Sequence, residues 1–399
     1  MTRTAHDLQR SIVPFISYNP GATMPMDDQL KREIGLLADK TQILIDEFEQ
    51  INVHVALIGE PGVGKSSLVN AIVGKKIAEI GATRETTRTA QPVPYAEVEG
   101  LVFWDLPGCG TPNHPRETYI DDQKLLTNYD LFILVTEKRV RQGDEWLYRR
   151  LHTEAGKPLF VVRTHFDQVV DELDEDEARQ HITEDIWKQL NETFEPHVYF
   201  VALKGRNNYD LGRLVEDLVE SLQGLKRDRA ALAVAPLTED LLRKKRQAAE
   251  KIVSNYAILA AANAFNPVPG FDVSVDVGVL ALMANKVVAA YGISDEQLNR
   301  TTRRRIAATT MTTIRNLAKP VTAYLAREGI LVILRRLGTN IATRSAAKWV
   351  PLVGQAVASY VGYKLTISFG TSLIDDCESV VKAVAQVLHV AETGGERTA

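Results

Sequence analysis

Cysteine is nearly absent from this 399-residue chain, which holds only Cys109 and Cys377. Two such residues give no disulfide framework and no metal-ligand spacing, so a reducing, cytoplasmic compartment is expected. No uncharged apolar run reaches the roughly 18 residues that a membrane-spanning helix requires. No apolar core follows Met1-Thr-Arg-Thr, so no secretory leader is expected. Thr2 stands where an N-myristoyl anchor needs glycine. Internal repeats are missing, and so is any recognisable RNA- or DNA-reading module. With a net charge of −4, nucleic acid is not expected as a partner. Hydrophobic residues at 45% and charged residues at 25% are ordinary for a globular protein, and the length suggests two or three domains.

The charge is unevenly spread. Residues 237–399 carry 20 lysines and arginines against 13 acids, whereas the remainder carries 27 against 38. A basic C-terminal part on an acidic body fits either uneven solvation of helix faces or an anionic partner surface, for which a membrane is the candidate.

Hydrophobic periodicity divides the chain. Residues 1–26 read as an irregular arm and 27–50 as an amphipathic helix, with Leu30, Ile34, Leu37, Ile43, Leu44 and Phe48 near helical spacing. Across 51–236, short apolar runs alternate with longer amphipathic stretches, the pattern of a doubly wound, mostly parallel α/β domain. Strands are expected at Val53–Ile58, Leu101–Asp105, Leu131–Thr136, Leu159–Thr164 and Val198–Ala202. Helices are expected at Lys65–Val73, 143–153, 174–193 and 209–223. Residues 237–390 read as an all-α domain, with breaks at 266–270, Gly292, Lys319-Pro320, Gly329 and Val350-Pro351, and 391–399 as a disordered tail. The apolar stretches Ile252–Phe265, Val273–Tyr291 and Trp349–Ile374 suit a bundle core. A membrane reading of the same region would enlist Arg303, Arg304, Arg305, Arg335 and Arg336 as contacts for anionic lipid.

One segment carries specific chemistry. Gly59-Glu60-Pro61-Gly62-Val63-Gly64-Lys65-Ser66, followed by Ser67, matches G-x-x-x-x-G-K-[ST] directly between an expected strand and an expected helix. Glycines at 62 and 64 allow backbone N–H groups to turn toward phosphate oxygens. Lys65 supplies a point charge to the β- and γ-phosphates, and Ser66 offers a hydroxyl to Mg²⁺. At the end of the next core strand, Asp105 would reach Mg²⁺ through water, and the Gly108 N–H would sense the γ-phosphate. Between these lies Gly81-Ala-Thr-Arg-Glu-Thr-Thr-Arg-Thr89, where a threonine would report on Mg²⁺ and the γ-phosphate. Thr83, Thr86, Thr87 and Thr89 compete for that role; Thr87 is the first choice and Thr86 the second.

The base-reading element separates GTP and GDP from adenine nucleotides. Val162-Arg-Thr-His-Phe-Asp167 ends a core strand, where guanine-specific enzymes carry Asn/Thr-Lys-x-Asp. Asp167 would accept from the guanine ring N–H and exocyclic amine, which adenine cannot donate in that geometry. Thr164 opens the motif, and His165 occupies the lysine position and would lie against the purine. Ala202, Leu203 and Lys204 stand where a backbone N–H would meet guanine O6.

Taken together, these motifs resemble the immunity-related GTPases, in a bacterial-type form. Leu101-Val-Phe-Trp-Asp-Leu-Pro-Gly-Cys-Gly-Thr111 is similar to that family's second switch, and Phe160-Val-Val-Arg-Thr-His-Phe-Asp167 to its base motif. Pro267-Val-Pro-Gly-Phe-Asp-Val-Ser-Val-Asp276 and Tyr291-Gly-Ile-Ser-Asp-Glu-Gln-Leu298 resemble its helical domain. The likeness runs from about residue 27 to the end and is strongest over 53–167. It implies a Ras-like GTPase domain joined to a helical domain built from both chain ends. It also implies homodimerisation through the nucleotide faces with partner-stimulated hydrolysis, and peripheral membrane attachment. The sequence departs from the family pattern at His165, and the family's first-switch glutamate has no clear match, Glu85 being the nearest carboxylate. Cys109 stands where Ras-like enzymes place the glutamine that orients water. A thiol hydrogen-bonds weakly, so slow intrinsic turnover is expected, with Arg84 or Arg88 as groups for supply in trans.

Overall fold

Residues of alternating parity in each strand are driven to opposite faces of one sheet, and that alternation builds the first of two structural units. The computed structural model describes residues 28–74, 94–98, 100–193, 195–203, 207–263, 277–293, 308–326, 329–333 and 354–394. Six strands, β1 (Val53–Ile58), β2 (Pro94–Val98), β3 (Leu101–Asp105), β4 (Leu131–Thr136), β5 (Leu159–Arg163) and β6 (Val198–Phe200), lie in the order β2-β3-β1-β4-β5-β6. All neighbours are parallel except β2 and β3.

Val53, Val55 and Leu57 of β1 face one side with Leu131, Ile133 and Val135 of β4 and Phe160 and Val162 of β5. They are covered by α2 (Lys65–Val73) through Leu68, Val69 and Ile72, and by Leu211–Glu220 through Leu214, Val215 and Leu218. The intervening Ala56, Ile58, Phe132, Leu134 and Val161 face the other side, against Tyr119, Leu147, Leu151 and Ile186. A sheet covered on both faces explains why these strands read as continuous apolar runs. Each fully buried Val, Leu, Ile or Phe contributes about 1.5–3 kcal/mol, so the strand ends that carry the site are held firmly.

Along this unit α2 is followed by α3 (Arg116–Asp122), α4 (Leu125–Asn128), α5 (Gln142–Tyr148), α6 (Asp167–Val170), α7 (Glu175–Leu190), α8 (Leu211–Glu220) and α9 (Gly224–Ala233); α1 (Asp28–Gln50) precedes β1. Three strands and α2 fall where the sequence placed them. β2 was not expected: its start at Pro94 and its Glu97 obscure the pattern, yet an edge strand tolerates proline, and its register shifts between Pro94 and Ala96. The helix expected at 143–153 is α5 continued by a π-helical turn, Arg149–Glu154. The start of α7 is explained by Asp174, whose carboxylate accepts from the N–H groups of Asp176 (3.0 Å) and Glu177 (3.4 Å).

The chain divides into two compact units, Gln50–Lys245 and Met1–Glu49 with Arg246–Ala399. The division falls inside α10 (Glu239–Asn263). In the second unit α1 is followed by the rest of α10, α11 (Val277–Ala290), α12 (Ala308–Ala323) and α13 (Gly354–Gly394). Within it, Lys286 of α11 pairs with Glu49 of α1 at 2.6 Å, and Leu37 packs against Ala257, Ile258, Ala261 and Tyr363. Arg246 reaches Asp375 (2.7 Å) and Glu378 (3.0 Å) of α13. Leu280, Met283, Val287, Phe369, Leu373 and Ile374 are fully buried, so these apolar stretches supply a core. Pro320, expected to break a helix, lies inside α12, within a turn of its end. α13 runs to Gly394, past the expected start of the tail. No helix among the described residues is long and apolar enough to cross a membrane. Thr83, Arg84, Glu85, Thr86, Thr87, Arg88 and Thr89, Lys204, the 267–276 and 294–298 segments and the arginines at 303–305 and 335–336 lie outside the described residues.

Candidate functional site

Strand order reverses at β1, whose carboxyl end is where ligands bind in open parallel sheets. The chain leaves β1 through Gly59–Gly64 and enters α2 at Lys65. Gly59, Gly62 and Gly64 hold φ of 143°, 90° and 98°, a region that other residues rarely adopt. Gly64 caps α2 without any side-chain hydrogen bond, and the first turn of the helix carries no acidic residue. The backbone donors and the positive end of the helix dipole are thus not capped by a side chain of the helix itself, which suits an anion.

Lys65, only 9% exposed, donates to the carbonyl oxygens of Gly59 (2.7 Å) and Glu60 (3.1 Å). Its ammonium also lies 3.2 Å from Asp105 Oδ1, although that oxygen makes no hydrogen bond of good geometry and is buried. Burial raises the Asp105 pKa above the usual carboxylate range, and the nearby Lys65 charge only partly opposes it. The buried Asp105 oxygen, at the end of β3, and the Ser66 hydroxyl, at the start of α2, are both hard oxygens. Such a pair fits Mg²⁺, which is bound by one or two protein oxygens together with phosphate oxygens and water. Among the described residues there is no cluster of three or more His, Cys, Asp or Glu that would hold a different metal.

After Asp105 the segment 106–111 is pinned at several points. Leu106 N–H donates to Leu57 O at 3.0 Å, and the Tyr119 hydroxyl donates to Pro107 O. Thr111 donates to Gly108 O at 3.3 Å. Gly143 packs against the Cys109 carbonyl so closely that a Cβ there would fall well inside van der Waals contact. Burial pushes the half-buried Cys109 thiol up to about 11, with Arg116 opposing the shift and Asp144 adding to it. Burial also raises the pKa of Asp144, against the Arg141 backbone N–H and charge; Glu60 adds to the rise and Lys65 opposes it. Arg141 pairs with Glu60 of the phosphate loop. Asp144, Arg141 and Tyr119 thus border the site without a recognisable motif in the sequence.

The loop bearing Thr164, His165 and Asp167 follows β5. Thr164 is fully buried, and its hydroxyl donates to Val63 O at 2.7 Å, with Thr136 O at 3.3 Å. A Cβ on Gly64 would lie 3.6 Å from Thr164 Cγ2, 3.7 Å from His165 Cε1 and 3.8 Å from Leu203 Cδ1. The structure therefore brings the phosphate loop, His165 and Leu203 to one place. His165 adopts φ 54°, and Asp167 begins α6. Thr164 faces the phosphate loop, which gives it a positioning role for that loop. Ala202 is fully buried behind Leu203.

A phosphate loop after the first strand, a carboxylate ending its neighbour and a loop carrying Asp167 beside them define a P-loop nucleotide-binding protein. The family model described as Interferon-inducible GTPase (IIGP) matches residues 30–337. The chain belongs to this family, that of the interferon-inducible, immunity-related GTPases. It is 29% identical over 258 residues to the mouse T-cell-specific guanine nucleotide triphosphate-binding protein 2, a match spanning 61% of this chain and 61% of that relative. It is 25% identical to the rat Interferon-inducible GTPase 5 over 91% of this chain and 82% of the relative. The GTPase Era of Clostridioides difficile is 30% identical over 173 residues, 42% of this chain and 55% of that protein.

Proposed function

We propose that this protein binds GTP together with Mg²⁺ and hydrolyses it to GDP and phosphate. The carrying observation is convergence at Gly64: phosphate loop, Lys65, and the loops bearing Asp167 and Leu203 meet within side-chain reach. In this reading Gly62, Val63 and Gly64 N–H groups with Lys65 hold the phosphates, Ser66 and Asp105 hold Mg²⁺ with Thr87, and Gly108 senses the γ-phosphate. Mg²⁺ would neutralise charge on the β- and γ-phosphates. Asp167 reads guanine, while His165, Leu203 and Lys204 line the base, with Glu60, Pro61 and Ser67 completing the loop.

Cys109 cannot align water as a glutamine amide does, so the isolated protein should turn over on the order of 10⁻³ s⁻¹ or slower, near unstimulated Ras. We therefore place stimulation in a homodimer formed through the nucleotide faces, a reading supported by family membership. Peripheral attachment to an anionic membrane is supported by the excess of basic residues in 237–399. Phosphate release per molecule, measured over a hundredfold range of protein concentration with GTP, ATP and the Lys65→Ala variant, tests the proposal. GTP turnover should rise with concentration and vanish in the variant. A flat, slow rate would instead support a nucleotide-binding switch that awaits a separate activating partner.

A further inference from the structure

Arg179 of α7 is surrounded by three aromatic rings. Its guanidinium carbon lies 5.2 Å from the Phe166 ring centroid, 5.0 Å from that of Phe200 and 6.0 Å from that of Tyr209. Phe166 is fully buried, stands between His165 and Asp167, and contacts Phe200 at 4.6 Å and Tyr209 edge-on at 5.0 Å. The guanidinium is fixed from outside by Glu175 (Nε to Oε1, 3.0 Å) and Asp210 (Nη1 to Oδ2, 2.7 Å). The same Asp210 oxygen accepts from the Phe200 backbone N–H at 2.9 Å, which ties the cage to the end of β6. Burial raises the Tyr209 pKa, and the charges of Glu175, Asp167 and Asp171 add to the rise.

A buried aromatic between two ligand-facing residues can set their direction only if its own ring is immobile. Phe166 is held by the tilted Phe200 ring, by the edge-on Tyr209 ring and by a cation over its face whose planar fork is locked by two carboxylates. Tyr209 closes the cage from a left-handed backbone at φ 46°. None of these contacts is made to the phosphate loop, and Phe166 is the chain neighbour of both His165 and Asp167.

We infer that Arg179 is a positioning residue for base recognition, acting through Phe166 to aim the Asp167 carboxylate at the guanine 2-amino and ring N–H. This rests on the reading of Asp167 given above. The geometry accounts for a cation on α7 that makes no contact with the phosphate loop among the contacts described, and it assigns base selectivity partly to α7.

The test compares GDP with IDP, which lacks only the 2-amino group, for the full-length protein, Arg179→Met, Arg179→Lys and Asp167→Asn. Dissociation constants and melting temperatures are measured for each. Arg179→Met should weaken GDP about tenfold and IDP no more than about threefold, so that selectivity for the 2-amino group falls. Arg179→Lys keeps the charge but not the fork, and should restore part of that selectivity. If Arg179→Met weakens GDP and IDP by the same factor, or leaves both unchanged, while Asp167→Asn abolishes selectivity, the inference is overturned and the Asp167 reading stands. If the unaltered protein does not distinguish GDP from IDP and Asp167→Asn changes nothing, the Asp167 reading fails and the inference with it. Should Arg179→Met not fold, the lysine variant decides: an undiminished GDP/IDP ratio there overturns the role.

Discussion

Replacing Thr164 with valine deletes one hydroxyl from the seam between the two halves of the site while keeping the side chain's shape. The hydroxyl donates to Val63 O at 2.7 Å, and both residues are buried. Thr164→Val removes a neutral hydrogen bond and leaves a buried carbonyl short of its donor, a loss of about 1–3 kcal/mol. The new methyl recovers a fraction of this through burial, about 0.8 kcal/mol at most. A net loss of roughly 1–2 kcal/mol is expected, equivalent to a melting shift of about 2–8 °C for a unit of this size. The hydroxyl holds the phosphate loop directly, so GDP dissociation should accelerate by about 5- to 30-fold. Stopped-flow release of a fluorescent GDP, paired with thermal melts, measures both quantities. Release within twofold of the unaltered protein would show that the bond does not organise the loop, and would refute the reasoning.

Gly143→Ala places a Cβ against the Cys109 carbonyl, 3.3 Å from its carbon and 3.6 Å from Cys109 Cβ. Backbone stands on both sides, so the second switch must move. Turnover should fall at least tenfold while the melting temperature drops by only a few degrees, because alanine's better helix propensity offsets part of the overpacking. Kinetics without any change would count against a role for that contact. Cys109 should alkylate slowly: a thiol moved from 9.0 to about 11 carries roughly 100-fold less thiolate at pH 8. Mass spectrometry of iodoacetamide-treated protein reads this, and reaction as fast as a free thiol would contradict it. The folded-state pKa of Asp105 is raised, so its ionisation opposes folding, a cost absent at low pH that appears as pH rises through the carboxylate range. Asp105→Asn should therefore raise the nucleotide-free melting temperature at pH 8, by a margin that shrinks on acidification, while Mg²⁺-dependent nucleotide binding falls. A lower melting temperature at pH 8 would refute the desolvation argument.

Legibility from sequence followed the physics of each element. The buried parallel strands are readable because both faces are covered, which makes 131–135 uniformly apolar. The phosphate loop was readable because its glycines and lysine are dictated by backbone geometry and charge over one short segment. β2 was not, since an edge strand needs neither continuous hydrophobicity nor freedom from proline. Pro320 misled because a missing N–H matters less near a helix end than at its centre. The contacts of Arg179 and Tyr119 are invisible in the sequence because each depends on a partner outside its own local motif: Phe200 and Asp210 for the first, Pro107 for the second. Within the base motif Thr164 also donates its hydroxyl to Val63 O, a contact that only the folded loop reveals.

Equilibrium binding of GDP and ADP to the full-length protein, with Mg²⁺ and with Lys65→Ala alongside, tests the central claim most directly. A guanine site built on Gly59–Ser66 and Asp167 should hold GDP at least 10³-fold more tightly than ADP, given unpaired buried acceptors facing adenine. That binding should be lost in the lysine variant. Equal affinity for the two nucleotides, or GDP binding that survives Lys65→Ala undiminished, would contradict it.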